Sequence, residues 1–249
     1  MSDDRKQDWM LAPELESLWD KLDERATPRR SLNVTAIVDA AVGLAQAEGI
    51  EAVSMARVAK ELGFATMAIY RHIPNKAALI VLMIDRAIGP PPAIEAATPW
   101  RDQLAQLATA QARMYQAHPW ILAIPVSTPP ATPNNLRWMN AMLGALRDAP
   151  LSPGEKLQAL ILFTTYVRGY FQLGTGDDDE DLAFFSAVER LTRAGGFEDV
   201  RAVLDALGST TGEAGPDAEF DFGLNRLLDG LAVLFDRRSA ADGDDRPAG

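Results

Sequence analysis

The chain has 249 residues, of which 47% are hydrophobic and 24% are charged, a composition typical of a globular protein rather than of a disordered chain or a fibre. It contains no cysteine and two histidines, His72 and His118, which excludes disulfide frameworks, thiolate catalysis and thiolate metal sites. The net charge is −11, yet residues 28–88 hold seven Lys and Arg against five Asp and Glu, so a local basic surface is available near the N-terminus.

The N-terminal segment lacks the apolar core of a secretion signal, and no apolar run approaches the roughly 20 residues of a membrane span. We therefore expect a cytoplasmic protein with no membrane partner. Domains usually contain roughly 100–150 residues, so this length favours two of them. Helical periodicity runs almost throughout the chain and alternating β-branched stretches are missing, which predicts an all-α fold.

Residues 1–30 are interpreted as an N-terminal extension. Apolar residues at helical spacing indicate a short amphipathic helix over residues 13–24. Arg29 and Arg30 follow a proline, and two interpretations stay open for them. They form either an ordinary charged linker or an arm that enters the DNA minor groove.

Residues 31–88 show the pattern of a three-helix DNA-binding domain. The predicted helices cover residues 34–48, 54–63 and 64–72, followed by a longer helix that begins after Asn75. Ser54 is a good N-cap, and Gly63 suits the tight turn between the two short helices. Two short helices joined by such a turn are typical of a helix-turn-helix motif.

A proline cluster over residues 89–99 marks the boundary to a larger C-terminal helical domain. Its predicted helices cover residues 99–118, 120–126, 134–147, 153–173, 180–194, 197–207 and 217–237. Ser152 and Glu155 have the spacing of a capping box at the start of one of them. We expect this domain to extend over residues 89–238 and to be followed by a disordered tail over residues 239–249.

The helix over residues 64–72 is the candidate recognition helix. Ile69 and Ile73 supply its buried face, which leaves small and polar side chains for the groove of DNA. Those side chains belong to Thr66, Met67, Ala68 and Tyr70. A hydroxyl can bond a base or a phosphate, and Met67 can touch a thymine methyl group. Because Ala65 is a poor cap, Thr66 is expected to cap this helix.

Five short strings occur in order within residues 31–82. They are Ile37-Val38-Asp39-Ala40-Ala41, Glu48-Gly49, Val58-Ala59-Lys60-Glu61-Leu62-Gly63, Ile69-Tyr70-Arg71-His72-Ile73 and Asn75-Lys76-Ala77-Ala78-Leu79. Together they resemble the DNA-binding domain of TetR-family transcriptional repressors. The resemblance implies that Tyr70, His72 and Lys76 hold the DNA backbone, although Tyr70 and His72 are open to a second interpretation as packing residues. The candidate DNA-binding residues are Ser54, Arg57, Thr66, Met67, Ala68, Tyr70, Arg71, His72 and Lys76.

Beyond residue 90 the helix order, the His118-Pro119-Trp120 break and the helix that begins at Phe220 resemble the C-terminal domain of tetracycline-repressor-type proteins. The resemblance implies an effector pocket there, with pure core packing as the alternative. Polar-tipped aromatics and methionines concentrate between residues 100 and 171 and suit an adaptable pocket. The candidate pocket residues are Trp100, Met114, Tyr115, His118, Trp120, Trp138, Met142, Phe163, Tyr166 and Tyr170. They carry few fixed charges, so we expect a mostly apolar effector with one or two polar groups.

The sequence favours a ligand-responsive transcriptional repressor that acts as a homodimer on a palindromic double-stranded operator. A short recognition helix contacts few base pairs, so specificity requires two copies. An enzyme is disfavoured because no nucleophile and base stand in a recognisable set, and we expect no cofactor and no metal. The acidic run over residues 177–181 lacks the ligand spacing of an EF-hand and is interpreted as a solvated loop. A helical enzyme or adaptor of unknown activity remains the alternative.

Overall fold

The computed structural model describes residues 32–125, 131–173, 178–193, 195–209 and 216–244. Within these ranges the chain forms helices and no strand, which confirms the all-α fold. The first four helices are α1 (Val34–Glu48), α2 (Met55–Leu62), α3 (Thr66–Tyr70) and α4 (Lys76–Ile88). The others are α5 (Trp100–Ala117), α6 (Pro133–Ala145), α7 (Pro153–Leu173), α8 (Asp178–Thr192), α9 (Glu198–Ser209) and α10 (Pro216–Asp244). Short 3-10 turns cover Ile50–Ala52 and Pro119–Ile121.

The N-terminal domain is built from α1 to α4, and side-chain caps fix where its helices begin. The Asn33 Oδ1 atom accepts a hydrogen bond from the Ala36 backbone N–H at 2.8 Å, and Asn75 does the same for Ala78. The Ser54 hydroxyl accepts from the Arg57 N–H at 3.2 Å. These caps satisfy backbone donors that the first turn of each helix leaves unpaired. Helix α1 packs across α4, and α2 and α3 pack on each other beside it.

Helices α5, α6 and α7 pack on one another to form the body of the C-terminal domain, with α10 against α5 and α7. The buried side chains of both domains belong to one continuous hydrophobic core. Helix α4 joins the two parts, because it packs on α1 on one side and on α5 and α6 on the other. No helix in the described ranges is both long enough and apolar enough to span a lipid bilayer.

Several helix boundaries differ from the prediction. The helix predicted over residues 120–126 is only the 3-10 turn Pro119–Ile121, and α5 starts at Trp100 with Pro99 as its N-cap residue. Helix α10 continues to Asp244, past the expected domain end at residue 238. The polar composition suggested a tail there, but the segment that follows Arg238 begins Ser-Ala-Ala, and alanine is the best helix former. The capping box is confirmed, because Glu155 Oε2 accepts from the Ser152 N–H at 2.8 Å.

Three expectations fall partly or wholly outside the described residues. They concern the amphipathic helix over residues 13–24, the Arg29-Arg30 pair and the side chains of the acidic run 177–181. The backbone of that run corrects the loop interpretation, because α8 begins at Asp178 and residues 178–181 form its first turn.

Candidate DNA interface and effector cavity

The turn between α2 and α3 fixes the direction of the recognition helix. Gly63 has a φ of +74°, a left-handed conformation that other residues adopt at a cost. The backbone N–H groups of Gly63 and Phe64 donate to the last carbonyls of α2, at 3.2 Å to Lys60 and 2.9 Å to Ala59. These bonds close the C-terminus of α2 and redirect the chain into α3.

Helix α3 presents one face to the core and the opposite face to solvent. Ile69 and Ile73 are fully buried, as the sequence predicts. Met67 is 69% exposed and Tyr70 is 43% exposed, so both side chains are available to a groove of DNA. The expected cap at Thr66 is wrong. Ala65 occupies the N-cap position in extended conformation, and no side chain caps the helix.

Basic side chains flank this face. Lys76 is the exposed first residue of α4, where the free N–H groups of a helix N-terminus attract phosphate. Arg71 is exposed, and His72 is partly buried. The Arg57 Nη2 atom lies 2.6 Å from Glu48 Oε1, so Arg57 is already engaged in an ion pair within the chain. A phosphate contact by Arg57 therefore requires an exchange of partners.

The C-terminal domain contains a cavity that is partly open to solvent and has two adjoining lobes of about 100 and 320 Å³. The smaller lobe is lined by Ile84, Ile88, Gln111, Met114, Tyr115, Ile121, Asn135, Trp138, Thr164 and Arg168. The larger lobe is lined by Gln111, Ala131, Asn135, Leu136, Trp138, Met139, Met142, Leu160 and Thr164. Most of these side chains are apolar, and the combined space suits a small organic molecule.

Four of the predicted pocket residues line this two-lobed cavity, namely Met114, Tyr115, Trp138 and Met142. The other six do not. Phe163 and Trp120 are buried core residues. His118 ends α5 beside the N-terminal domain, where its Nδ1 atom lies 3.1 Å from Gln46 Oε1, and burial lowers its pKa.

Trp100, Tyr166 and Tyr170 lie on other surfaces of the C-terminal domain. The Trp100 ring packs edge-on against Phe235, with 4.8 Å between centroids, and lines a separate groove. Tyr166 and Tyr170 pack around Phe220 of α10, with centroid distances of 5.6 and 5.4 Å. Aromatic spacing shows that a residue faces inward, but the direction of each helix face depends on neighbours that are distant in sequence.

Four polar residues line the cavity without being among the predicted pocket residues, namely Gln111, Asn135, Thr164 and Arg168. Two of them, Arg168 and Gln111, bear on the chemistry of a ligand. The Arg168 Nη2 atom donates to the carbonyl oxygens of Ile121, Leu122 and Ile124, at 3.4, 3.3 and 2.9 Å. Its guanidinium carbon lies 6.0 Å from the centre of the Tyr115 ring. Burial raises the pKa of Tyr115, and the charge of Arg168 opposes that rise.

Gln111 is the second of these polar residues and lines both lobes. Its buried Oε1 atom has no hydrogen-bond partner in the described part of the chain. The signal for both residues was present in the sequence, because each interrupts the apolar face of an amphipathic helix.

Helix α4 connects the cavity to the DNA-binding domain. Its residues Ile84 and Ile88 line the smaller lobe. The Asp85 carboxylate is 4% exposed and accepts hydrogen bonds from the Asn134 backbone N–H at 2.9 Å and from Nδ2 at 3.1 Å. The Trp138 Nε1–H group donates to the carbonyl of Gly89 at 3.0 Å. These hydrogen bonds join α6, which carries part of the cavity wall, to the helix that begins at Lys76.

Family models match most of the chain. The model of the bacterial regulatory proteins of the tetR family matches residues 37–83, and that of the tetracyclin repressor-like C-terminal domain matches residues 92–235. The chain is 36% identical over 244 residues to the HTH-type transcriptional repressor DrrR1 of Streptomyces coeruleorubidus, covering 92% of this chain and 88% of that protein. It is 27% identical over 211 residues to the class A tetracycline repressor of transposon 1721 from Escherichia coli, covering 81% and 91%.

Solved structures show the same fold. The TetR family protein ActR of Streptomyces coelicolor, in complex with actinorhodin, superposes with a TM-score of 0.70 at 24% identity, covering 82% of this chain and 97% of that chain. Regulators of this kind bind DNA and small-molecule ligands and are not enzymes. The helix-turn-helix, the cavity behind it and these matches together show that the chain belongs to the TetR family of transcriptional repressors.

Proposed function

We propose that the protein is a homodimeric repressor that binds a palindromic operator and is released from it by a small, mostly apolar effector held in the two-lobed cavity. The observation that carries this proposal is the position of helix α4 between the recognition helix and the cavity. It presents Lys76 beside the recognition helix at one end and Ile84 and Ile88 to the cavity near the other. A ligand that changes the position of α4 changes the spacing of the two recognition helices in a dimer.

The DNA contacts are proposed from exposure and chemistry. Met67 and Tyr70 project from α3 into solvent, Thr66 and Ala68 lie beside them, and Lys76 stands at a helix N-terminus. Thr66, Met67 and Ala68 read base edges, whereas Tyr70, His72 and Lys76 hold phosphates. Two exposed arginines, Arg57 on α2 and Arg71 directly after α3, extend this basic surface. Ser54 fixes the start of α2.

The cavity is proposed as the effector site because it is lined mostly by apolar side chains and shares its wall with α4. Similarity to ActR, which was solved in complex with (S)-DNPA and with actinorhodin, supports a small-molecule ligand for this protein. The effector must bind the released geometry more tightly than the DNA-bound one. A coupling of about 1–3 kcal/mol, or roughly 5–150-fold in affinity, is sufficient for release.

Selection from a random pool of duplexes with the purified full chain tests the DNA half of the proposal. We expect enrichment of a two-fold symmetric sequence whose half-sites lie about one helical turn apart or a multiple of it. Enrichment of an asymmetric site, or of no sequence, would contradict the proposal. The Trp138→Ala variant tests the cavity half, because it should still bind the selected operator but respond less to any compound that releases the wild type. Tyr166→Ala is the matched control, since Tyr166 lies away from the cavity.

A further inference from the structure

We propose that the effector is an aromatic anion whose apolar body lies against Trp138 and Met142 in the larger lobe and whose acidic oxygen group pairs with Arg168 in the smaller one. This inference rests on the proposed function of the cavity as the effector site. It adds the chemical class of the ligand, which the apolar walls alone do not define.

Arg168 is the one formally charged residue among those that line the two lobes. No carboxylate of the described residues lies within 4.0 Å of its guanidinium nitrogens, whereas Arg57, Arg86 and Arg101 each have such a partner. Its contacts to three backbone carbonyls satisfy the Nη2 donor, but none of the side chains that the structure describes supplies a counter-charge. A partly buried, unneutralised cation favours an anion and disfavours a cationic ligand.

Tyr115 does not supply the missing negative charge. Its ring lies beside Arg168, but burial raises the pKa of its hydroxyl above the ordinary value, so the group stays protonated at neutral pH. Among the residues whose side chains the structure describes, none supplies that anion, and we assign this role to the ligand.

Gln111 adds a second requirement. Its Oε1 atom is buried without a partner in the described part of the chain, and the residue lines both lobes. A buried carbonyl oxygen without a donor is costly, so a ligand that places an N–H or O–H group there gains affinity. The cavity therefore favours a ligand that has a hydrogen-bond donor near its anionic group and a flat apolar body beyond that group.

A matched pair of fluorescent probes tests this inference on the full chain. The probe 1-anilinonaphthalene-8-sulfonate and its neutral analogue N-phenyl-1-naphthylamine share an aromatic skeleton and an N–H group and differ by the sulfonate. We expect the Arg168→Met variant to lower the ratio of sulfonate affinity to neutral-probe affinity by about tenfold or more. Arg168→Lys should lower it less, because a point charge remains.

Three controls make the outcome specific. Arg113→Met removes an exposed arginine that lines a different groove of the same domain and should leave the ratio unchanged. Trp138→Ala should weaken both probes, which identifies the fluorescence that comes from the cavity. Gln111→Leu should weaken both probes by a similar factor, since both carry the N–H group. Circular dichroism and thermal melting confirm that each variant is folded.

The results separate the inference from the proposed function. If Trp138→Ala weakens both probes but neither Arg168 variant changes the ratio, the anion pairing is wrong and the cavity stands as the effector site. If Trp138→Ala changes the binding of neither probe, the cavity does not bind these ligands, and both the inference and the proposed effector site are overturned.

Discussion

At the residue scale, two classes of side chain meet at the candidate DNA interface. Met67, whose thioether and methyl group are mostly exposed, offers apolar contact to a base edge. Lys76 places a positive charge at a helix N-terminus, where it can pair with a DNA phosphate whatever the base sequence. Substitutions in the two classes should therefore have different signatures.

Lys76→Ala is expected to weaken binding to all duplexes and to lower the slope of log affinity against log salt concentration by about 1, because one phosphate contact is lost. Thr66→Ala and Met67→Ala should instead change which sequence is preferred, at a cost of about 1–3 kcal/mol at one base position. Fluorescence anisotropy at several salt concentrations measures both. Equal salt slopes for wild type and Lys76→Ala would remove Lys76 from the phosphate contacts.

Local rules predicted most of the DNA interface. Caps at Ser54 and Asn75, the turn at Gly63 and the burial of Ile69 follow from neighbours within four residues, and the structure confirms them. The pairing of Arg57 with Glu48 was not predictable, because the two residues are nine positions apart and meet only when α1 and α2 pack.

The cavity was harder to predict than the DNA interface. Trp100 and Tyr166 have the same helical spacing as Trp138, yet they pack on α10, and only the assembled bundle decides which face of a helix lines the cavity. Aromatic content predicts a pocket in this domain but does not identify Arg168 and Gln111 as part of its lining. The polar exceptions on apolar faces carry more information about the ligand.

At the element scale, α7 and α10 approach each other closely at one glycine. A Cβ atom at Gly223 would lie 2.3 Å from the Tyr166 Oη atom and 2.7 Å from two ring carbons. The ring cannot easily move, because Tyr166 donates to the Phe220 carbonyl at 2.6 Å and stacks on the Phe220 ring. The close approach of α7 and α10 at Gly223 therefore occurs within one chain.

Gly223→Ala is expected to destabilise the protein by about 1–3 kcal/mol through overpacking against Tyr166. Gly43→Ala is the matched control, since Gly43 lies within α1 with open space around it, and there alanine should stabilise by about 0.5–1 kcal/mol. Urea denaturation measures both. Combining Gly223→Ala with Tyr166→Leu should recover part of the loss, and no recovery would show that another contact is responsible.

The junction of α4 and α6 gives a second prediction at this scale. Asp85→Ala leaves two donors of Asn134 without their buried acceptor, so we expect a loss of about 1–3 kcal/mol in stability and a weaker coupling between effector and operator. Asp39→Ala is the control, because Asp39 lies on α1 and pairs with α4 outside the junction with α6. It removes an exposed ion pair with Arg86 and should cost about 0–1 kcal/mol. Unchanged coupling in Asp85→Ala would exclude this junction from the transmission path.

At the scale of the whole molecule, apolar stripes are left uncovered on a single chain. Leu157, Ile161 and Leu162 are exposed along α7, and Phe222 and Val233 are exposed along α10. Both stripes repeat at helical spacing, and such surfaces are typical of subunit interfaces. In the proposed homodimer, a symmetric pairing of α7 and α10 with a second copy would bury them.

Ile161→Glu is expected to convert a dimer into a monomer, because it places a charge in the centre of that surface. Light scattering at micromolar concentration measures the mass. Phe64→Glu is the control, since it places the same charge on an exposed apolar residue of the DNA-binding domain and should leave the dimer intact. A monomeric wild type would contradict the proposed homodimer, and a dimeric Ile161→Glu variant would move the interface elsewhere.

The continuous core has a consequence for how the molecule melts. Buried side chains of α4 pack against both domains, and the end of α4 is tied to α6 through Asp85 and Gly89, so neither domain can lose its packing alone. Calorimetry should therefore show one cooperative heat-absorption peak rather than two, and an effector bound in the cavity should raise the melting temperature of the DNA-binding helices as well. Two separate peaks would show that the domains unfold independently.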